Sequence, residues 1–541
     1  MSTAQAVVAG LLANGIETIY ALPGVQNDPF FDALYHAQNR LRVIHTRHEQ
    51  GAAYMALGAA LATGRPQAMA VVPGPGLLNA SAALATAYST DARVLAISGQ
   101  IPLGAIGRMT GQLHEIRDQT GLLRSMTKWN AMVTGPADAP AAVEEAFRQL
   151  LSGRPRPVAL EVPMDVWPRT GLMPALRTAE PLPAPPVDEE VVEQAARLLG
   201  AAERPMLVVG GGAHAAREEV RRIAEALAAP VLSVRMGRGV LDGRHPLAVT
   251  VPAAHRLWAE ADAVLVVGSR ASGALGGWGT EGLKLVRVEI DAEEMHRFGA
   301  PTIGLQGDAA AILPALAERI AVHRRARPGR MEHIAGVKAE VMGRVAERLA
   351  PQQAFLRAMR EVLPEDGILV DELTQVGYAG RALWPVHGSR TYLSSGYQGT
   401  LGWGLAAALG AKAARPEAPV LSISGDGGFM FNVQELATAV QHGIAVVAVV
   451  FTDNAYGNVR GFQKQHYGGR VIATELRNPD FVRLAESFGA LGLRAEGPAA
   501  LGEALRRGFA NADGPTLIEV PVGEFPSPWE FLMLPKVRPA G

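Results

Sequence analysis

Short apolar runs alternate with alanine-rich helical stretches through most of the chain, and this alternation limits the fold more than any other feature. A strand, a helix and a second strand in repeated succession build a parallel sheet with helices covering both faces. The 541 residues divide into three such blocks. In 1–170, Ala68–Val72 and Val94–Ser98 read as strands and Glu49–Thr63 as a helix, and Pro157–Pro163 is a buried strand bounded by prolines. Pro174, Pro181, Pro183, Pro185 and Pro186 then stiffen an extended linker. The block 188–325 carries strands at Pro205–Val209, Pro230–Val234, Ala263–Val267 and Lys284–Ile290, and the arginine-rich 322–330 reads as an exposed linker. The block 345–525 carries strands at Ile368–Val370, Val420–Ser424, Ala445–Phe451 and Thr516–Val520, and the proline-rich 526–541 reads as a tail. The expected fold class is therefore α/β, with three doubly wound parallel-sheet domains.

Composition narrows the chemistry. A hydrophobic fraction of 48% supports packed cores and excludes disorder as the main state. Lys+Arg 51 against Asp+Glu 52 leaves a formal charge of −1, without the basic surplus of a nucleic-acid binder. Zero cysteines exclude disulfides, thiolate metal sites, iron–sulfur clusters and cysteine nucleophiles. Any metal must be held by oxygen or imidazole, and demanding chemistry must use Ser, His, carboxylates or a borrowed cofactor. The first ten residues have no Lys or Arg ahead of their apolar stretch, unlike a secretory leader. The longest clean apolar run, Ile444–Phe451, is too short for a membrane span, so a cytoplasmic protein without a membrane partner is expected.

The densest chemical signal is Val420–Ser424 running into Gly425-Asp426-Gly427-Gly428. Glycines let backbone N–H groups approach an anion, and a bare aspartate among them makes sense beside a cation. The next strand ends in Thr452-Asp453-Asn454-Ala455-Tyr456-Gly457. In a parallel sheet both carboxylates fall at the ligand-binding edge, where a divalent metal could link them to phosphates. Gly-Asp-Gly is equally the composition of a plain turn. In block one, Glu49 begins an alanine-rich helix after Arg42–His45. An acidic residue favoured by the helix dipole explains it as well as a catalytic one does.

Together these residues resemble the thiamine diphosphate-dependent enzymes. Asp453 follows Asp426 by 27 positions, with Tyr456-Gly457 in the family register. His48-Glu49-Gln50-Gly51-Ala52, Gly64-Arg65-Pro66, Gly74-Pro75-Gly76 with Asn79, Gly153-Arg154-Pro155 and Val162-Pro163-Met164-Asp165-Val166 are similar to the acetolactate synthase branch. The likeness runs from Leu22 to Val522. It implies pyrimidine-binding, central and diphosphate-binding domains, with thiamine diphosphate and Mg2+ as cofactors. Asp426, Asp453 and the carbonyl of Ala455 are the implied metal ligands, Asn454 being the alternative for the second. Glu49 is the implied partner of the cofactor's N1′ atom. The Gly399 carbonyl would accept from its 4′-amino group, and Leu401 would wedge beneath its rings. Gly425, Gly427 and Gly428 form the implied phosphate turn, with Thr374 and Gln375 nearby. Gly74, Tyr456 and Gly457 complete the cofactor contacts.

The resemblance also implies a site between two subunits, hence a homodimer or homotetramer. Departures cluster at the substrate positions. The branch's Pro-Gly-Gly turn reads Pro23-Gly24-Val25-Gln26-Asn27 here, Leu113-His114-Glu115 replaces Phe-Gln-Glu, and Phe462 replaces a frequent tryptophan. Val25, Gln26, His114 and Phe462 are thus the substrate candidates. His114 is also a candidate proton relay, its alternative being a loop histidine. The central Gly210-Gly211-Gly212 lacks the dinucleotide fingerprint, which makes FAD or ADP the less favoured reading there. The implied activity is an acetolactate synthase-like carboligase acting on 2-oxo acids or related ketones. A simple decarboxylase or C–C lyase is the alternative, and a non-catalytic nucleotide-binding homologue is the alternative of another class.

Overall fold

The computed structural model describes residues 1–538. It holds three six-stranded sheets, every ladder of which is parallel. The first runs Arg42–His45, Thr18–Ala21, Gln67–Val71, Val94–Gln100, Val158–Pro163, Trp129–Met132 across the sheet. The third runs Tyr392–Ser394, Ile368–Asp371, Val420–Gly425, Val447–Thr452, Thr516–Pro521, Leu491–Arg494, which is the same topology. The middle sheet has the strand order of dinucleotide-binding folds, with Pro205–Val209 beside Ala263–Val267 at its centre.

Period-2 alternation gives each outer sheet two buried faces. Ile19, Ala68, Ala70, Leu95 and Ile97 fill one core of the first sheet, and Tyr20, Met69, Val71, Val94 and Ala96 face the other way. That second face shares a core with Ile368, Val370, Val420, Ala448 and Val450 of the third sheet. The seam is the helix pair Glu49–Thr63 and Trp403–Ala414. At the crossing a Cβ on Gly58 would run into the Ala407 carbonyl, and one on Gly410 into that of Met55. Only glycine permits so close a backbone approach.

Three sequence expectations are corrected. Residues 526–538 are docked rather than trailing: Phe531 and Leu532 pack on the third core, Leu534 on the middle one, and His255 Nε2 lies 2.8 Å from the Pro535 carbonyl. Residues 539–541 lie outside the described residues. The run Ile444–Phe451 becomes strand only from Val447, because the Ile444 N–H caps the preceding helix by donating to the Ala439 carbonyl at 2.9 Å. The arginine-rich linker is shorter, since the flanking helices end at His323 and begin at Arg330, and Arg330 itself is buried. No helix among the described residues is long and apolar enough to cross a membrane.

Candidate active site

In the two outer sheets, the strand order reverses direction between the central strands, leaving crevices at their carboxyl ends. Nearly every candidate residue lies at one of them. In the third domain, Asp371 ends one strand and leads into Glu372, Thr374 and Gln375, while Gly425 ends its neighbour and leads into Asp426. Asp426 Oδ2 accepts from the Asn454 N–H at 2.7 Å and from Asn478 Nδ2 at 2.8 Å. Asp453 Oδ2 accepts from Gln375 Nε2 at 3.0 Å and faces Arg460 at 3.4 Å. Burial first, and the Asp453 carboxylate beside it second, push the Asp426 carboxyl up to about 6. Burial likewise raises Asp453, against the pull of Arg460. A divalent cation between the two carboxylates would reverse both effects. With the Ala455 carbonyl two residues on, the donor set is all oxygen, as magnesium requires.

The remaining diphosphate-side candidates close around this pair. Gly457 lies so near Asp453 that a Cβ would stand 2.6 Å from its Oδ2, and a Gly427 Cβ would stand 2.6 Å from the Tyr456 ring. The Gly427 N–H is itself taken by Asp426 Oδ1 at 2.9 Å. Gln375 reaches beyond Asp453, its Oε1 accepting from the Phe525 N–H at 2.8 Å. Thr374 is buried at the cap of the helix Gln375–Leu383. Gly399 has φ +58°, and Leu401 stands over the phosphate turn, 3.5 Å from a Gly428 Cβ. Phe462 is on the helix Gly457–His466, stacked on His466.

Sequence reasoning passed over Glu372, which ties this half together. Its Oε1 accepts from the Gly402 N–H at 2.7 Å, and its Oε2 from the Gly404 N–H at 2.8 Å and from Ser424 Oγ at 3.2 Å. One carboxylate thus joins the strand end, the 399–404 loop and the 424–428 turn. Burial raises its carboxyl to about 7, against those donors. Asn478 was missed too. Both depend on contacts between segments far apart in sequence.

The first domain gathers a second set. Glu49 opens its helix, and Glu49 Oε2 accepts from Asn79 Nδ2 at 3.0 Å. Gly76 packs against it, a Cβ there standing 3.4 Å from Glu49 Oε1. Gly74 has φ +57°, and a Cβ on it would strike the His114 carbonyl. Gln26 Nε2 donates to the Leu113 carbonyl at 3.2 Å, bringing the 25–27 and 113–115 loops together. Val25 is exposed, and His114 Nδ1 is buried without a partner. Behind them, the Gly74 N–H donates to Gln119 Oε1 at 2.9 Å, and Gln119 Nε2 donates to the buried Glu161 at 3.1 Å.

The two sets do not meet through hydrogen bonds: among the described residues none joins Glu49 or His114 to Asp426, Asp453 or the 399–404 loop. Beside the helix seam, the polar contacts between the domains include Gln50, whose Oε1 accepts from Asn432 Nδ2 at 3.0 Å, and Tyr54, whose hydroxyl donates to Thr400 Oγ1 at 2.9 Å. In the middle domain, the Gly210 and Gly212 N–H groups donate to the Val267 and Gly268 carbonyls at 3.0 and 3.2 Å. They offer no free donors to a pyrophosphate.

Comparison with known proteins finds one family domain on each of the three sheets. Residues 1–122 match the thiamine pyrophosphate enzyme N-terminal TPP binding domain, 192–316 the central domain, and 374–520 the C-terminal TPP binding domain. The chain is 34% identical to a probable 2-ketoarginine decarboxylase of Pseudomonas aeruginosa, over 96% of this chain and 94% of that one. It is also 34% identical to a probable acetolactate synthase large subunit of Methanocaldococcus jannaschii, over 100% and 94%. With the acetolactate synthase large subunit of Corynebacterium glutamicum the identity is 32%, over 98% and 88%. Three domain matches in order, on three parallel sheets, with relatives similar along their whole length, show that the chain belongs to the thiamine pyrophosphate enzyme family.

Proposed function

We propose that the protein is a thiamine diphosphate- and Mg2+-dependent enzyme that makes or breaks C–C bonds in 2-oxo acids or related ketones. The observation that carries this is the Asp426–Asp453 pair at the crevice of the third sheet, repelling each other across a site that suits a divalent cation. Asp426, Asp453 and the Ala455 carbonyl would hold the metal, and the 425–428 turn would receive the diphosphate. Bound thiamine diphosphate supplies the electron sink for the bond broken next to a carbonyl. Glu49 would hold a proton at the N1′ atom, the Gly399 carbonyl would accept from the 4′-amino group, and Leu401 would support the rings. Glu372 fixes the loop that carries Gly399 and Leu401. Val25, Gln26, His114 and Phe462 border the reacting end.

Consecutive helical residues leave the axis about 100° apart. Gln50 is spent on Asn432 of its own chain, so Glu49 is turned away from that chain's third domain. This supports a site completed by a second copy, in a homodimer or homotetramer. The working limits are 1–170 for the pyrimidine-binding domain, 188–325 for the central domain and 345–525 for the diphosphate-binding domain. The central domain acts as a scaffold, FAD or ADP being the less favoured reading there, and the protein works in the cytoplasm.

An acetolactate synthase-like carboligase is the first reading. A simple decarboxylase is the second, favoured by the similarity to the 2-ketoarginine decarboxylase. A panel of 2-oxo acids, 2-ketoarginine among them, separates the two readings by CO2 release and product analysis. A 2-hydroxyketone supports the first, and an aldehyde with CO2 the second. Turnover of no member by the cofactor-loaded protein would sink both.

A further inference from the structure

The arginine-rich link between the central and third domains has no part in the site described above. It borders a surface cavity of about 370 Å3, lined among others by Arg204, Arg325, Arg327, Arg330, Glu203 and Glu260. Most of these charges are answered. Arg325 pairs with Glu203 at 3.3 Å, and Arg204 and His333 pair with Glu260 at 3.5 and 2.9 Å. Arg327 donates to the Leu199, Gly200 and Ala202 carbonyls, which close the helix Glu189–Ala201. Arg330 differs. It is 6% exposed, and its Nε and Nη2 have no hydrogen-bond partner. A buried guanidinium without hydrogen-bond partners is destabilising, which sets Arg330 apart from the other charges of the lining.

A second feature converges on the same place. Arg330 opens the 19-residue helix Arg330–Arg348; its N–H donates to the Arg327 carbonyl at 3.2 Å, and the cap, Gly329, with φ +72°, has no side chain to take the N–H groups that follow. Those groups and the helix dipole favour an anion at that end. Four arginines against two glutamates leave the lining two positive charges in excess, which suits one small dianion. The two carboxylates argue against a long polyanion such as nucleic acid.

We propose that this cavity is a binding site for a small phosphate-bearing anion, with the Arg330 guanidinium as its principal ligand. Such an anion would answer the unpaired guanidinium with charge-assisted hydrogen bonds. It would also fasten the central domain to the helix leading into the third.

Isothermal titration of the protein already saturated with thiamine diphosphate and Mg2+ tests this, with inorganic phosphate as probe at fixed ionic strength. Glycerol 3-phosphate in a parallel arm distinguishes free phosphate from a phosphate ester, the tighter of the two naming the source. One saturable site per chain is expected. Arg330→Gln should weaken it about tenfold or more, with turnover unchanged. If Arg330→Gln does not fold, Arg330→Lys, which keeps the charge but loses the forked donors, must weaken binding by about threefold or more. No saturable heat from either probe overturns the site, as does unaltered affinity in whichever variant folds. Because the catalytic crevices are not involved, failure here leaves the enzymatic reading untouched, and failure of that reading leaves this one testable.

Discussion

Replacing Glu372 with glutamine tests the clamp beneath the 399–404 loop. In the folded chain its carboxyl lies near 7 instead of its ordinary 4.5, burial outweighing its three donors. The folded state therefore holds the proton more tightly than the unfolded chain does. Stability from this group is complete below about 4.5 and is lost as pH rises through about 7. The difference of about 2.5 pKa units corresponds to about 3 kcal/mol. Glutamine keeps the shape but cannot ionise, so the variant lacks this loss. Its amide also turns an NH2 toward either the Gly402 or the Gly404 N–H, leaving one buried donor unpaired at about 1–3 kcal/mol. At pH 5 the variant should be the less stable by about that amount. By pH 8 the gap should close by about 3 kcal/mol, and it can invert. Denaturant midpoints of both proteins without cofactor, taken every half unit from pH 5 to 8, give the difference directly. Parallel profiles would refute the argument, because then Glu372 does not change ionisation in the folded state over this range.

Three further outcomes follow from the geometry. Gly410→Ala forces a methyl into the Met55 carbonyl and should cost about 1–3 kcal/mol by separating the helices at the domain seam, read from thermal unfolding. Gly74→Ala drives the His114 loop outward, and kcat/KM should fall about a hundredfold while the protein stays folded by circular dichroism. Glu49→Ala should lower kcat by about 10²–10⁴-fold yet still bind thiamine diphosphate, and normal turnover in that variant contradicts its assigned role.

The three-sheet architecture was legible because strand–helix alternation is written locally. Val420–Gly425 and, up to its last residue Gln100, Val94–Gln100 are apolar or small, as strands buried on both faces tend to be. Tyr392–Ser394 and Ala248–Val249 are too short to show a period and were missed. The glycine turn, Asp426, Asp453 and Glu49 stood out because each pairs a turn or helix start with an unusual charge. Glu372 carried no such mark, since its partners Gly402, Gly404 and Ser424 lie 30 to 52 residues away and two of them use only backbone N–H. Gln119 and Glu161 are silent for the same reason: the network behind Gly74 exists only once two strands and two loops have converged. The tail was misread because prolines mask the docking of Phe531, Leu532 and Leu534.

The carboxylate pair at the third sheet is the point on which the enzymatic reading depends. Near-ultraviolet circular dichroism during titration with thiamine diphosphate, with and without Mg2+, examines it in the wild type and in Asp426→Ala. A saturable cofactor signal that requires Mg2+ in the wild type and is absent from a folded Asp426→Ala variant is the predicted result. No signal from the wild type at saturating cofactor, or an equal signal without Asp426, would contradict it.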